Sequence, residues 1–67
     1  MKNHIKKFRS TAKLSQAELA KRCKVSRQTI NAIENDKYDP TLQLAFDIAC
    51  VLGTTVDELF ISESIEE

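Results

Sequence analysis

Two serines frame this chain, Ser15 ahead of QAELAKR and Ser26 ahead of RQTINAIE, each placed where a hydroxyl accepts from the first free amides of a helix. Ser15 stands three residues before Glu18, the spacing of a capping box, so a helix starts at Gln16. Leu19, Ala20 and Cys23 fall on one face of it. Lys24 and Val25 interrupt that period, and Ser26 opens a second helix from Arg27 to Glu34. Its apolar positions are Ile30 and Ile33, with Val25 plugging the gap before them. So few residues between two helices leave room only for a tight turn. The chain must therefore fold around a short helix pair whose second member is held out from a small body.

The outward side chains of that second helix are informative. Arg27, Gln28, Thr29, Asn31 and Ala32, with Asn35 just beyond, offer forked donors and acceptors and no fixed negative charge. Arginine matches the O6 and N7 acceptors of guanine, glutamine and asparagine match N6 and N7 of adenine, and alanine suits a thymine methyl. An ordinary solvated face is the bland alternative, but it would carry a mixture of Glu and Lys. The helix 27–34 is thus expected in a DNA major groove, with Arg27 and Gln28 as first base contacts and Asn31 and Ala32 next. Gln16, at the positive end of the preceding helix, is expected to hold a phosphate, as are the hydroxyls of Ser26 and Thr29.

The run QAELAKRCKVSRQTINAIEN resembles the helix-turn-helix of the Cro/cI repressor family, the lambdoid phage repressors and their bacterial relatives, often called the XRE family. The resemblance extends from about Ile5 to Phe60. It takes in Gln16, Ala20, Val25, Ser26, Ile30 and the Ile33-Glu34 pair, and PTLQLAFDIACVLGTTVDELF is similar to the family's fourth and fifth helices. SRQTINAIENDKYDPTLQLA is similar to the small single-domain cytolysin-repressor type. The resemblance implies an all-α, five-helix lambda-repressor-like domain. It also implies a structural ion pair between Arg9 and Glu34, tying helix one to the end of helix three. It implies DNA-backbone contacts from Asn35, Lys37 and Tyr38 in the loop before Pro40, although tyrosine is amphipathic and Tyr38 could equally pack on the core edge. The chain departs from many relatives at Lys24, where they carry glycine in the turn.

Sixty-seven residues make one domain, taken as 1–67 with a core of 5–60, and leave no room for a separate ligand-sensing domain. One glycine and one proline leave little for sheets or long loops. No apolar stretch approaches the ~20 residues of a membrane span and no signal peptide follows Met1, so a cytoplasmic protein without membrane contact is expected. The formal net charge is zero, which taken alone argues against a nucleic-acid partner. The distribution reverses that. Residues 1–38 hold all ten Lys and Arg against three acids, a net of +7, while residues 39–67 hold seven acids and no base, a net of −7. The helix-turn-helix lies on the positive half, and the acidic half should face away from DNA.

Around the motif, Ile5, Phe8 and Ala12 predict the inner face of a first helix with Lys6, Lys7 and Lys13 opposite. Asp36 to Pro40 reads as a loop, with Thr41 or Asp39 as the next cap. A fourth helix runs from about Leu42 to Leu52, with Gly53 as its stop and Leu42, Ala45, Ile48, Ala49 and Leu52 inward. Thr55, three before Glu58, predicts a capping box for a fifth helix bearing Val56, Leu59 and Phe60. In residues 61–67, Ile61 and Ile65 alternate with polar residues, so this acidic tail could be a short strand. The cytolysin-repressor type pairs such a tail with its N-terminus, here the first three or four residues. The apolar arc is wider than one small core needs, which assigns Leu44, Phe46, Val51, Phe60 and Ile61 to a homodimer interface, Leu59 being ordinary core.

Other chemistry finds no footing. Cys23 and Cys50 have no nearby ligand pair, so no metal or other cofactor is expected. Cys23 reads as core, whereas Cys50 falls opposite the inward stripe, where a redox role is conceivable. No carboxylate dyad, phosphate loop or activated nucleophile can be assembled, so an enzyme is not expected. The partner implied is double-stranded DNA read by a homodimeric repressor, with room for a regulatory protein partner. The alternative is a protein-interaction module, such as an antitoxin or a bridging factor, that uses the acidic half of the same fold.

Overall fold

Side-chain caps start three of the helices. Ser15 accepts from the Glu18 N–H ahead of α2 (Gln16–Arg22), Ser26 from the Thr29 N–H ahead of α3 (Arg27–Glu34), and Thr41 from the Leu44 N–H ahead of α4 (Leu42–Leu52). The computed structural model, which describes residues 1–61, adds α1 (Ile5–Ala12), α5 (Val56–Leu59) and two short strands, β1 (Lys2–Asn3) and β2 (Phe60–Ile61). At α1 the cap is displaced by one residue: His4 makes no side-chain bond, and Asn3 Oδ1 accepts from the Ile5 N–H at 3.1 Å. The expected Thr55–Glu58 box does not form. The Glu58 carboxylate instead accepts from the Thr54 hydroxyl at 3.1 Å.

The four longer helices end alike. In each, a residue at positive φ turns the chain, and the next N–H bonds back to a carbonyl in the last turn: Leu14 to Arg9, Val25 to Ala20, Lys37 to Ala32 and Thr54 to Ala49. The turning residues are Lys13, Lys24, Asp36 and Gly53, with φ of 59°, 61°, 64° and 71°. Only the last is the type that reaches this region without steric cost. The Lys24 turn closes the gap between α2 and α3, and its hydrogen bonds hold it there despite the side chain. Lys24→Gly is expected to raise stability by about 1 kcal/mol, the relief of left-handed strain less the entropy of a freer unfolded chain. Urea denaturation checks it, and an unchanged midpoint would show that the strain is already relieved.

Ile5, Leu19, Ile30, Ile33, Ile48 and Leu59 are fully buried against one another, with Ala20, Cys23, Ala45, Ala49, Leu52 and Phe60 completing the core. Several expectations change here. Ala12 is exposed at the end of α1, and Leu42 is 69% exposed on the outer side of the first turn of α4, whose inner side is carried by Leu44 and Ala45. Phe60 leaves the interface set. β2 pairs antiparallel with β1, Lys2 opposite Ile61 and Asn3 opposite Phe60, and strand alternation sends Phe60 inward and Ile61 outward. Leu44 and Val51 are half-buried against the core, so of the five proposed interface residues only Phe46 and Ile61 stand exposed. The expected strand is present at its first residue, while Ile65 lies outside the described residues.

Candidate nucleic-acid interface

α3 is buried along Ile30 and Ile33 and open along Arg27, Gln28 and Asn31, with Ala32 half-buried between the two sides. The depth of that burial fixes the helix against rotation, so its polar edge has one direction. Ser26, Gln28, Thr29, Ala32 and Tyr38 line a shallow depression of about 330 Å³ on this side. The Ser26 and Thr29 hydroxyls lie 2.9 Å apart in a mutual hydrogen bond, which commits part of their capacity to the cap. Tyr38 is 51% exposed and so lies on the surface rather than in the core.

Behind α3, a polar chain runs from the first helix to the open edge. Arg9 donates from Nε to Glu34 Oε2 at 2.7 Å and from Nη2 to Glu34 Oε1 at 3.2 Å, the parallel fork that favours arginine over lysine. Its third bond goes to the Leu14 carbonyl at 2.9 Å, while the Leu14 N–H bonds to the Arg9 carbonyl. The pair is well shielded, with 15% and 6% of the two side chains exposed. Gln16, assigned to a phosphate by sequence, joins the same cluster: its Nε2 donates to Glu34 Oε1 at 3.2 Å, and Asn31 Nδ2 donates to Gln16 Oε1 at 3.3 Å. Composition carries no signal for this link, because Gln16 lies 15 residues from Asn31 and 18 from Glu34 in the chain.

The loop after α3 presents Asn35, Lys37 and Tyr38 at the surface, and Asn35 Nδ2 also donates to the Asn31 carbonyl at 2.9 Å. The N-terminal segment props this end. Asn3 Nδ2 donates to the Ile33 carbonyl at 2.8 Å, a second bond to an acceptor that the Asp36 N–H also reaches at 3.1 Å. The Met1 ammonium lies 2.5 Å from Asp36 and 2.7 Å from Asp39, and hydrogen bonds to those carboxylates raise its pKa to about 10. Sequence reasoning missed Asn3, since a lone asparagine near a terminus carries no pattern. Lys6 and Lys7 on α1, Lys13 just after it, and Lys21, Arg22 and Lys24 on and after α2 are exposed.

On the other half, Phe46 is 55% and Ile61 38% exposed. Phe46, Ala49, Cys50, Thr55 and Val56 border an open groove of about 590 Å³. Cys50 is exposed, and Cys23 is buried, its thiol pushed up by desolvation first and by the charge of Asp47 second. Among the described residues, no three His, Cys, Asp or Glu are gathered as a metal site, and no helix is long and apolar enough to cross a membrane.

The sequence profile of the Helix-turn-helix family matches residues 5–59. An uncharacterized HTH-type transcriptional regulator of Methanocaldococcus jannaschii is 52% identical over 66 residues, which is 98% of this chain and the whole of that protein. The immunity repressor protein of Bacillus phage phi105 is 34% identical over 61 residues, 91% of this chain and 42% of that protein. Among solved structures, a hypothetical transcription factor from Neisseria superposes with a TM-score of 0.75 at 28% identity, covering 81% of this chain. The chain spans 61% of that structure's length.

Proposed function

The chain belongs to the helix-turn-helix transcriptional regulators of Cro/cI (XRE) type, which bind DNA, and from that premise we propose that it is a cytoplasmic, dimeric repressor reading a palindromic operator with α3. The observation that carries this reading is α3 itself, anchored by two fully buried isoleucines and presenting Arg27, Gln28 and Asn31 along its open edge. Those three, with Ala32 against a thymine methyl, read bases. Gln16, Ser26, Thr29, Asn35, Lys37 and Tyr38 position the helix on phosphates, Gln16 through the Nε2 hydrogen that Glu34 leaves unused. Repression is supported by the likeness to a phage immunity repressor. The strand pair between β1 and β2 supports the small single-domain cytolysin-repressor type as the nearest subgroup, with residues 1–67 forming one domain.

Selection of bound sites from a random duplex pool tests the reading. An inverted repeat should be enriched, and no enrichment would overturn sequence-specific binding. On the selected site, Gln28→Ala should cost about 1 to 3 kcal/mol and relax preference at one base pair, because it removes a bidentate base contact. Lys37→Ala should weaken all duplexes alike and flatten the salt dependence. Titrations on matched and mismatched sites that make the two variants indistinguishable would overturn the division into reading and positioning residues.

One observation favours a second reading, the open groove beside Phe46 on the acidic half. As an antitoxin or bridging factor, the protein would use that groove on another protein. A toxin-like reading frame beside the gene would point there, whereas an inverted repeat upstream of its own promoter would point to the repressor.

A further inference from the structure

A carboxylate can only accept hydrogen bonds, and this fixes more than the ion pair it belongs to. Glu34 Oε1 lies 3.2 Å from the Gln16 amide, and only the Nε2 end can face it without setting oxygen against oxygen. Gln16 Oε1 is thereby turned toward Asn31, which must answer with its own Nδ2, at 3.3 Å. One N–H of Asn31 is then committed. What an approaching duplex meets is the Asn31 side-chain oxygen Oδ1 and the remaining N–H of its Nδ2.

We propose that Gln16 is a positioning residue that relays the polarity of the shielded Arg9–Glu34 pair to Asn31, and that this makes Asn31 select adenine over guanine. The proposal rests on α3 being the base-reading helix. Adenine offers the N6 donor and the N7 acceptor, the complement of one carbonyl and one N–H. Guanine offers two acceptors, O6 and N7, and suits an amide with its NH₂ turned outward. Asn31 reaches that orientation only by placing its carbonyl against Gln16 Oε1, which Glu34 holds in place. The discrimination therefore comes from an anion that touches no base.

The test uses the enriched operator with A·T or G·C at the base pair whose preference Asn31→Ala abolishes. The wild-type chain should bind the adenine duplex about tenfold more tightly, within the range of a single bidentate contact. Gln16→Met keeps an unbranched stem but leaves Asn31 free to turn, and the ratio should collapse toward unity. Gln16→Lys donates both to Glu34 and to the Asn31 carbonyl, turning the NH₂ outward, and should tip the ratio toward guanine. A signature independent of DNA accompanies this: the side-chain NH₂ signals of Asn31 in the ¹⁵N spectrum of the free protein should move toward those of a solvated asparagine in Gln16→Met. If Gln16 served a phosphate alone, both duplexes would weaken equally and the Asn31 signals would stay in place, which overturns the proposal. A wild-type chain that enriches no site overturns the functional reading and the relay with it. An enriched site whose adenine preference ignores residue 16 overturns the relay alone.

Discussion

Arg9→Ala is expected to bring this domain to the edge of unfolding, at a cost of about 3 to 5 kcal/mol. The loss is large because of what stays behind. Glu34, with 6% of its side chain exposed, keeps only the single Gln16 bond in place of a two-bond arginine fork. An ion withdrawn from water and then stripped of its partner costs far more than an exposed pair such as Arg22–Glu18, where both side chains are about half in solvent. The Leu14 carbonyl loses its donor as well, at the turn that leads into α2. A domain this small holds on the order of 3 to 5 kcal/mol in its core, so the variant should have little or no folded baseline. Arg9→Lys keeps the charge but not the fork and should fall between the two. Urea denaturation followed by helical circular dichroism measures all three, and a loss below about 1 kcal/mol for Arg9→Ala would mean that water reaches Glu34 after all.

The same pair shows how far the sequence could be followed. Ser15 and Ser26 are legible as caps, and Thr41 as one of two candidates beside Asp39, because capping is local, a hydroxyl three residues from the amide it serves. Ile30, Ile33, Ile48 and Leu59 were legible because helical period decides the inward face wherever a neighbour covers it. Leu42 shows the limit of that rule: period gives a direction, and only the surrounding elements decide whether anything lies there. Phe60 shows another, since helix period and strand alternation assign it to opposite fates and the pairing with Asn3 decides. The Gln16–Glu34–Asn31 cluster could not be read at all. It depends on side chains from α2 and α3 meeting across the turn, and no spacing along the chain encodes that meeting.

Dimerisation carries the other large effect. One recognition helix reaches only a few base pairs, whereas two related by a twofold axis reach successive major grooves about 34 Å apart. Joining the two raises affinity for a palindrome by roughly 100- to 10,000-fold over one half-site, through effective concentration alone. A surface that joined them could not obstruct α3, and the acidic half, net −7 from residue 39 onward, would be repelled by the duplex. There, among the described residues, the large exposed apolar side chains are Leu42, Phe46 and Ile61. Val51 is unsuitable for a test, because it packs on the core and a lysine in its place would damage the fold itself. Phe46→Lys combined with Ile61→Lys, both at exposed positions, should instead give a folded monomer. It should lose that 100- to 10,000-fold on a palindrome and little on an isolated half-site, because Arg27, Gln28 and Asn31 are untouched. Sedimentation equilibrium at micromolar concentration, with titrations on full and half operators, reads both outcomes. A wild-type chain that stays monomeric there yet binds the palindrome without cooperativity would rule the arrangement out. A double variant that still dimerises would move the interface away from Phe46 and Ile61.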